Sequence, residues 1–237
     1  MSGHKKYLSV ALLSAVLLPA MASAADAPAT FTPEQEAKIG KIAADYLVAH
    51  PEVLLQASQK LQQIQAEQQA SAATQAVLKN AAVLTQDKNT PTYGPANGKV
   101  TVIEFFDYQC VYCSRLAPVM EQVIKAHPQT RFAFKEWPIF GGRWESSLEA
   151  AKTGLQIYQQ KGADAYLAYH NGIYATGHNE GKLTAADIQQ QAKKVNFDAG
   201  KAADVEPVLE STNQLAQEIG LSGTPGVIVM PTTGATE

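Results

Sequence analysis

The alternation of hydrophobic and polar residues predicts an α/β chain built around a strand-to-helix junction near residue 110. A run of β-branched and aromatic residues, Val100–Phe106, predicts a buried strand that follows the turn residues Asn97 and Gly98. Apolar residues then recur at helical spacing and predict a helix that starts where the strand stops: Leu116, Val119, Met120, Val123 and Ile124.

The rest of the chain from residue 80 onward alternates between strand and helix patterns. Short apolar or alternating runs predict strands at Val83-Leu84, Arg131–Glu136 and Val227–Met230. Helical periodicity predicts helices over Ser146–Gln160, Asp164–Tyr174 and 205–219, the last closed by Gly220. The pattern Thr184-x-x-Asp187 resembles a capping box and predicts a further helix over Ala185–Lys194.

Residues 25–79 predict a helical extension in front of this region. Thr32 as N-cap, Pro33 and Gln35 mark the start of a first helix, and His50-Pro51 interrupts it. The second helix carries a narrow apolar seam with spacings of three, four and three, surrounded by glutamines: Leu54, Ala57, Leu61 and Ile64. Residues 70–79 either prolong it or form a linker. Such a helix is marginal alone in water, so it folds back onto its own chain or self-associates.

Residues 1–24 have the pattern of a secretory signal peptide. His4-Lys5-Lys6 precedes an apolar core, and Ala22-Ser23-Ala24 matches a cleavage site. The apolar run is shorter than the roughly 20 residues that span a bilayer, so cleavage and export are favoured over membrane anchoring. Loss of Lys5 and Lys6 takes the net charge from −3 to −5, which argues against a nucleic-acid partner.

The two cysteines, Cys110 and Cys113, stand in C-x-x-C spacing at the start of the predicted redox helix. Free N–H groups and the helix dipole stabilise a thiolate there, so Cys110 is the predicted nucleophile and Cys113 the resolving thiol. A structural disulfide would close a loop too short to constrain much of the unfolded chain. A closed zinc site needs four ligands, and the histidines show no matching spacing.

The chain resembles the DsbA-type branch of the thioredoxin-fold thiol-disulfide oxidoreductases over roughly residues 82–230. The resemblance is carried by Glu104, Phe105, Phe106, Cys110, Cys113, Leu116 and Pro118, by Lys135–Gly141 and by Gly223-Thr-Pro-Gly226. With the N-terminal extension, the chain is most similar to the oligomeric Com1-like and copper-sensitivity-suppressor-like (ScsC-like) proteins.

The resemblance implies a thioredoxin fold whose inserted helical subdomain lies at about 145–196, within a catalytic domain of residues 80–237. It implies that Pro225 is cis and faces the dithiol, and that Thr224 exposes its backbone for an extended substrate strand. Glu104 is a candidate for relaying the Cys113 proton if its side chain lies beneath the site. Relatives continue beyond such a last strand into another strand and a helix, whereas this chain ends seven residues after Met230.

The expected activity is protein disulfide isomerisation or reduction in the periplasm, without cofactor or bound metal. The expected partners are exported proteins with thiols or disulfides, a membrane redox partner, and further copies in a dimer or trimer. A monomeric dithiol oxidase is the alternative within the enzyme class. A dithiol protein that handles Cu(I) is the alternative outside it, although no Met-rich or additional Cys/His cluster accompanies the pair.

Overall fold

The structure, a computed structural model, describes residues 31–236 and divides into two compact units, one ending at Leu61 and one starting at Gln62. The predicted signal peptide lies outside the described residues. Helix α1 spans Pro33–Ala49, and Thr32 and Gln35 cap it reciprocally, as predicted. Helix α2 runs over Glu52–Lys79, so residues 70–79 prolong the helix. Neither helix has a buried residue.

The unit that starts at Gln62 contains a four-stranded sheet in the order β1-β3-β2-β4. The strands are β1 (Thr92–Tyr93), β2 (Val100–Phe106), β3 (Arg131–Glu136) and β4 (Gly226–Pro231). Strand β2 pairs in parallel with β3 and antiparallel with β4, while β1 pairs antiparallel with β3. The central position of β2 explains its nearly continuous apolar sequence, because both of its edges and both of its faces are covered.

Helices cover both faces of the sheet. The helices that follow β2 are α4 (Val111–Ala126), α5 (Glu145–Lys161), α6 (Ala163–Ala175), α7 (Ala185–Lys194) and α8 (Glu206–Glu218). Phe106 and Phe134 pack with α4 and α6 in one core, while Phe105 and Trp137 pack with α8 in a second core on the other face. The two cores follow from the period-2 alternation of side chains along β2 and β3. None of the described helices has an apolar stretch that could cross a membrane.

The prediction of a strand at Val83-Leu84 is wrong, because these residues belong to a short helix, α3 (Ala81–Gln86). Leu84 is buried in the second core, and the Thr85 hydroxyl donates to the Ala81 carbonyl one turn earlier. Two adjacent apolar residues fit a strand or one turn of helix equally well, and here tertiary packing decides for the helix. The first strand of the sheet lies later in the chain, at Thr92–Tyr93.

Candidate redox site

Cys110 lies at the junction where β2 ends and α4 begins. It is the N-cap residue of α4, with extended backbone angles, and its N–H donates to the Asp107 carbonyl at 3.0 Å. Its own carbonyl accepts the first helical hydrogen bond, from Ser114 N–H at 3.0 Å. This position directs the free N–H groups at the start of α4 toward the Cys110 sulfur, as the sequence predicts.

The two thiols occupy different environments. Cys110 Sγ lies 3.3 Å from the Thr224 carbonyl oxygen, to which the thiol donates when it is protonated. Only 4% of Cys110 is exposed, whereas Cys113 is fully buried. Hydrogen bonding from the Cys113 thiol, helped by the N–H groups of Cys113 and Tyr112, lowers the pKa of Cys110 to about 6 against the effect of burial. The same hydrogen bond, together with burial, holds the pKa of Cys113 far above its usual range. Cys110 is therefore the thiol that ionises at neutral pH.

Alkylation of the reduced protein tests this assignment. Because the thiolate is the reactive form, a limiting amount of iodoacetamide at mildly acidic pH should label Cys110 and spare Cys113. The Cys110 pKa is depressed, so labelling should slow as the pH falls through about 6 and the thiolate gains a proton. Peptide mapping of the label gives the answer, and preferential modification of Cys113 would reverse the two roles.

The bond between Thr224 and Pro225 is cis, as the family resemblance implies. Pro225 immediately precedes β4, where Gly226 is in register with Phe105 on β2. This pairing brings the Thr224 carbonyl to Cys110 Sγ, so the cis bond faces the dithiol. The prediction of a cis bond at this position is confirmed.

Glu104 is buried inside the sheet, with 2% of the residue exposed. Its register partners are Phe134 on β3 and Val227 on β4, and it shares a sheet face with Phe106, which packs in the same core as Cys113. Burial raises the pKa of Glu104 to about 7, and its Oε2 has no protein hydrogen-bond partner. A buried carboxyl that titrates near neutrality on this face can hold or release a proton at physiological pH.

Asp107 fixes the turn that leads to Cys110 and was not singled out from the sequence. Its carboxylate accepts hydrogen bonds from Gln109 N–H at 2.7 Å, Phe140 N–H at 2.9 Å and the Ser147 hydroxyl at 2.8 Å. Burial nevertheless raises the pKa of Asp107. The three donors tie the redox turn to the start of α5 and so determine where Cys110 stands.

Glu136, the last residue of β3, is a third buried carboxyl, and the sequence predicts no role for it. Its Oε1 accepts hydrogen bonds from the hydroxyls of Tyr108 at 3.0 Å and Tyr166 at 2.9 Å. A Cβ atom on Gly154 would lie 2.7 Å from that oxygen, so glycine leaves the space that the carboxyl occupies. Burial holds the pKa of Glu136 well above its usual range and lowers the pKa of the neighbouring His170 to about 3.

No group of three or more His, Cys, Asp or Glu side chains placed to hold a metal ion occurs within residues 31–236. The sulfur atoms and the neighbouring carboxyls instead form a layered arrangement. Cys110 lies at the start of α4, the fully buried Cys113 lies in the first turn of that helix, and titratable side chains follow in the core. This arrangement can accept and return an electron pair through sulfur.

Comparisons with known proteins agree with the thioredoxin-like fold. Residues 35–68 match the copper resistance protein ScsC N-terminal domain, and residues 85–232 match the thioredoxin family. The crystal structure of BcfH from Salmonella enterica Typhimurium has a TM-score of 0.73 at 40% identity, over 85% of each chain. Proteus mirabilis ScsC in a compact conformation has a TM-score of 0.59 at 27% identity, over 84% of this chain and 99% of that one.

Curated relatives are more distant. The thiol:disulfide interchange protein DsbA of Bordetella pertussis is 25% identical over 149 residues, which cover 60% of this chain and 68% of that protein. The Na⁺/H⁺ antiporter NhaA 3 of Salinispora tropica is 22% identical over 148 residues. The chain spans about a fifth of the length of that antiporter, 21%, so the similarity concerns one part of a longer protein.

Proposed function

The chain belongs to the thioredoxin family, in its DsbA-type, ScsC-like branch, and from this premise we propose that it is a periplasmic thiol-disulfide oxidoreductase. The observation that carries the proposal is the pair of unequal thiols at the start of α4. Cys110 has a pKa of about 6 and contacts the Thr224 carbonyl, while Cys113 keeps its proton beneath it. A nucleophile and a resolving thiol require this difference.

The reaction proceeds in two exchanges. The Cys110 thiolate attacks one sulfur of a substrate disulfide, which forms a mixed disulfide and releases the other substrate sulfur as a thiolate. Cys113 then gives up its proton and attacks Cys110, which forms the Cys110–Cys113 disulfide and releases the second substrate thiolate. The substrate gains two electrons and the protein loses them. In isomerisation a thiol of the substrate, instead of Cys113, attacks the mixed disulfide and leaves the protein reduced.

Glu104 is the proposed acceptor of the Cys113 proton. Its carboxyl is buried on the sheet face that packs with Cys113, and its pKa of about 7 allows it to take and return a proton at neutral pH. A carboxyl with the ordinary pKa near 4 would be a much weaker base for this step. Thr224 and Pro225 form the proposed docking segment, because the Thr224 backbone already lies against the reactive sulfur.

Isomerase or reductase activity is proposed over simple oxidation because of helices α1 and α2. The apolar residues of the predicted seam are solvent exposed, at 55% for Leu54, 56% for Leu61 and 39% for Ile64. Helix α1 adds a second exposed apolar strip that includes Ile39, Ile42 and Tyr46. Apolar surface of this kind favours association with further copies of the chain, and several redox sites around one substrate favour disulfide reshuffling.

The proposed setting is the periplasm, reached through the signal peptide predicted at residues 1–24. Exported proteins with thiols or disulfides are the proposed substrates, and a membrane protein that keeps the dithiol reduced is the proposed redox partner. A monomeric dithiol oxidase would need neither the seam nor a reducing partner. The match of residues 35–68 to an ScsC N-terminal domain supports the oligomer over this monomeric alternative.

Two assays on the same purified protein test the proposal. Refolding of a protein with scrambled disulfides measures isomerisation, and oxidation of a dithiol peptide measures transfer of a disulfide. In the double variant Leu54→Glu, Leu61→Glu, charges in the seam should separate the copies. Isomerisation should then fall roughly tenfold or more, because the effective concentration of neighbouring sites is lost. Dithiol oxidation, which uses one site at a time, should change far less.

The double variant Gln56→Glu, Gln59→Glu is the matched control, since it adds the same charge to exposed positions of α2 outside the seam. Light scattering reports the oligomeric state of all three proteins. A parent protein that is already monomeric at tens of micromolar, or a seam variant that isomerises as fast as the control, would refute the oligomeric isomerase. Failure of both assays in the parent protein would refute the redox function itself.

A further inference from the structure

The loop that joins α6 to α7, residues 176–184, lies beside the reactive cysteine. Gln109, which directly precedes Cys110, accepts hydrogen bonds from this loop at two atoms. Its carbonyl oxygen accepts from Glu180 N–H at 3.0 Å and its Oε1 accepts from Gly181 N–H at 2.8 Å. Because Gln109 is covalently joined to Cys110, these bonds place the loop at the edge of the redox site.

Gln109 is held equally firmly on its other sides. Its Nε2 donates to the Ser146 hydroxyl at 2.6 Å, and its N–H donates to Asp107 Oδ1 at 2.7 Å. Only 1% of the residue is exposed. A buried amide whose oxygen and nitrogen are both bonded has one favourable orientation, so Gln109 fixes the loop relative to the nucleophile.

The loop backbone has an uncommon conformation at the point of contact. Glu180 has a φ of 50°, in the left-handed region that residues other than glycine rarely adopt. Gly181 follows with a φ of 89°, and a Cβ atom there would lie 2.7 Å from Trp144 Nε1. Such conformations persist where surrounding contacts impose them, and they are concentrated at binding and catalytic sites.

The residue with this left-handed conformation, Glu180, has a carboxylate side chain. Glu180 is exposed, and its carboxylate takes part in none of the ion pairs formed within the described part of the chain. His178 differs, because its Nδ1 is paired with Asp187 Oδ2 at 2.9 Å. The loop therefore places Glu180 on the segment that is bonded to Gln109, while the other exposed charged residue of that segment, Lys182, follows two positions later and donates its N–H to the Asn179 carbonyl instead.

We propose that the loop of residues 176–184 is a contact surface for polypeptide substrates, and that Glu180 favours segments with Lys or Arg beside the reacting cysteine. The inference rests on the proposed function, since it concerns the substrate that meets Cys110. An exposed carboxylate on a backbone segment held at a fixed place attracts a nearby cation, and it selects between substrates more than it strengthens binding overall.

Two synthetic peptides, each a symmetrical disulfide dimer, test the proposal on the reduced full-length protein. One peptide has Lys and the other Glu on both sides of its cysteine. In each reaction Cys110 displaces one peptide thiolate and Cys113 displaces the second, which leaves the Cys110–Cys113 disulfide. The second-order rate constant for oxidation of the reduced protein by each peptide is divided by the second-order rate constant with 2-hydroxyethyl disulfide, a small neutral disulfide, measured on the same variant.

The parent protein should prefer the Lys peptide by roughly 2- to 5-fold, the range expected of an exposed ion pair. Glu180→Gln should remove this preference and Glu180→Lys should invert it. Glu210→Lys is the control, because it changes the net charge equally at an exposed position on α8, and it should keep most of the preference. Equal ratios in the parent protein and Glu180→Lys would overturn the loop assignment. No reaction with 2-hydroxyethyl disulfide would instead refute the proposed function.

Discussion

Replacing Cys113 with alanine should stop turnover and trap the protein as a mixed disulfide with its substrate through Cys110. The same change should raise the pKa of Cys110, because the hydrogen bond from the Cys113 thiol is the largest cause of its low value of about 6. A full return to an ordinary pKa of about 8.5 would lower the thiolate fraction at pH 7 roughly 30-fold. Ultraviolet absorbance of the thiolate, followed against pH, measures the shift.

Cys113→Ser is the matched variant for this experiment. Serine cannot resolve a mixed disulfide, so trapping should persist, but its hydroxyl can still donate to the Cys110 sulfur. The Cys110 pKa should therefore stay closer to 6 in the serine variant than in the alanine variant. If both variants titrate like the parent protein, the free N–H groups of α4 set the acidity of Cys110 and the neighbouring thiol does not.

Lys135→Met should destabilise the protein by about 3 kcal/mol, the low end of the cost of breaking a buried ion pair. Lys135 is only 2% exposed, and its Nζ donates to Thr90 Oγ1 at 2.5 Å, Asp87 Oδ2 at 3.1 Å and the Val83 carbonyl at 3.4 Å. Methionine keeps most of the aliphatic stem, so the loss reports the amino group. The low end applies because the Asp87 side chain is 20% exposed and water replaces part of the interaction.

Guanidinium-induced unfolding of the reduced protein gives the difference directly. The double variant Lys135→Met, Asp87→Asn is the control, because it removes the charge that the single change leaves unpaired. It should recover a substantial part of the stability, since replacing both partners of a buried pair is often close to neutral. A single variant as stable as the parent protein would show that the ion pair does not hold the segment around Val83 and Asp87 to the sheet.

The residues of the redox motif could be found from the sequence because their signals are local. The C-x-x-C spacing, the apolar run of β2 and the capping box at Thr184 each lie within a few consecutive residues, and they appear in the structure at the predicted positions. The burial of Glu104 was also predictable, because it stands inside an apolar strand. Local pattern determines local structure where the surrounding fold agrees with it.

The partners of Glu136 and Gln109 could not be found in this way. Tyr108 lies 28 positions from Glu136, and Gly181 lies 72 positions from Gln109, so neither hydrogen bond leaves a pattern in the sequence. A buried polar side chain is stable only if distant segments supply its partners. The prediction at Val83-Leu84 failed for a related reason, since contacts with the second core decide its structure. The limits of the extension and the catalytic domain stay predictions.

The pKa of Cys110 is about 6, and the pKa of Cys113 lies far above its usual range. Above about pH 6 the two sulfur atoms of the reduced dithiol therefore carry one proton between them. Two electrons then enter the disulfide with one proton, so the reduction potential falls by about 30 mV per pH unit from the sulfurs alone. Below about pH 6 both sulfurs are protonated and the slope doubles to about 59 mV per pH unit. The unequal thiols thus make the driving force of the couple only half as sensitive to acidity across the neutral range.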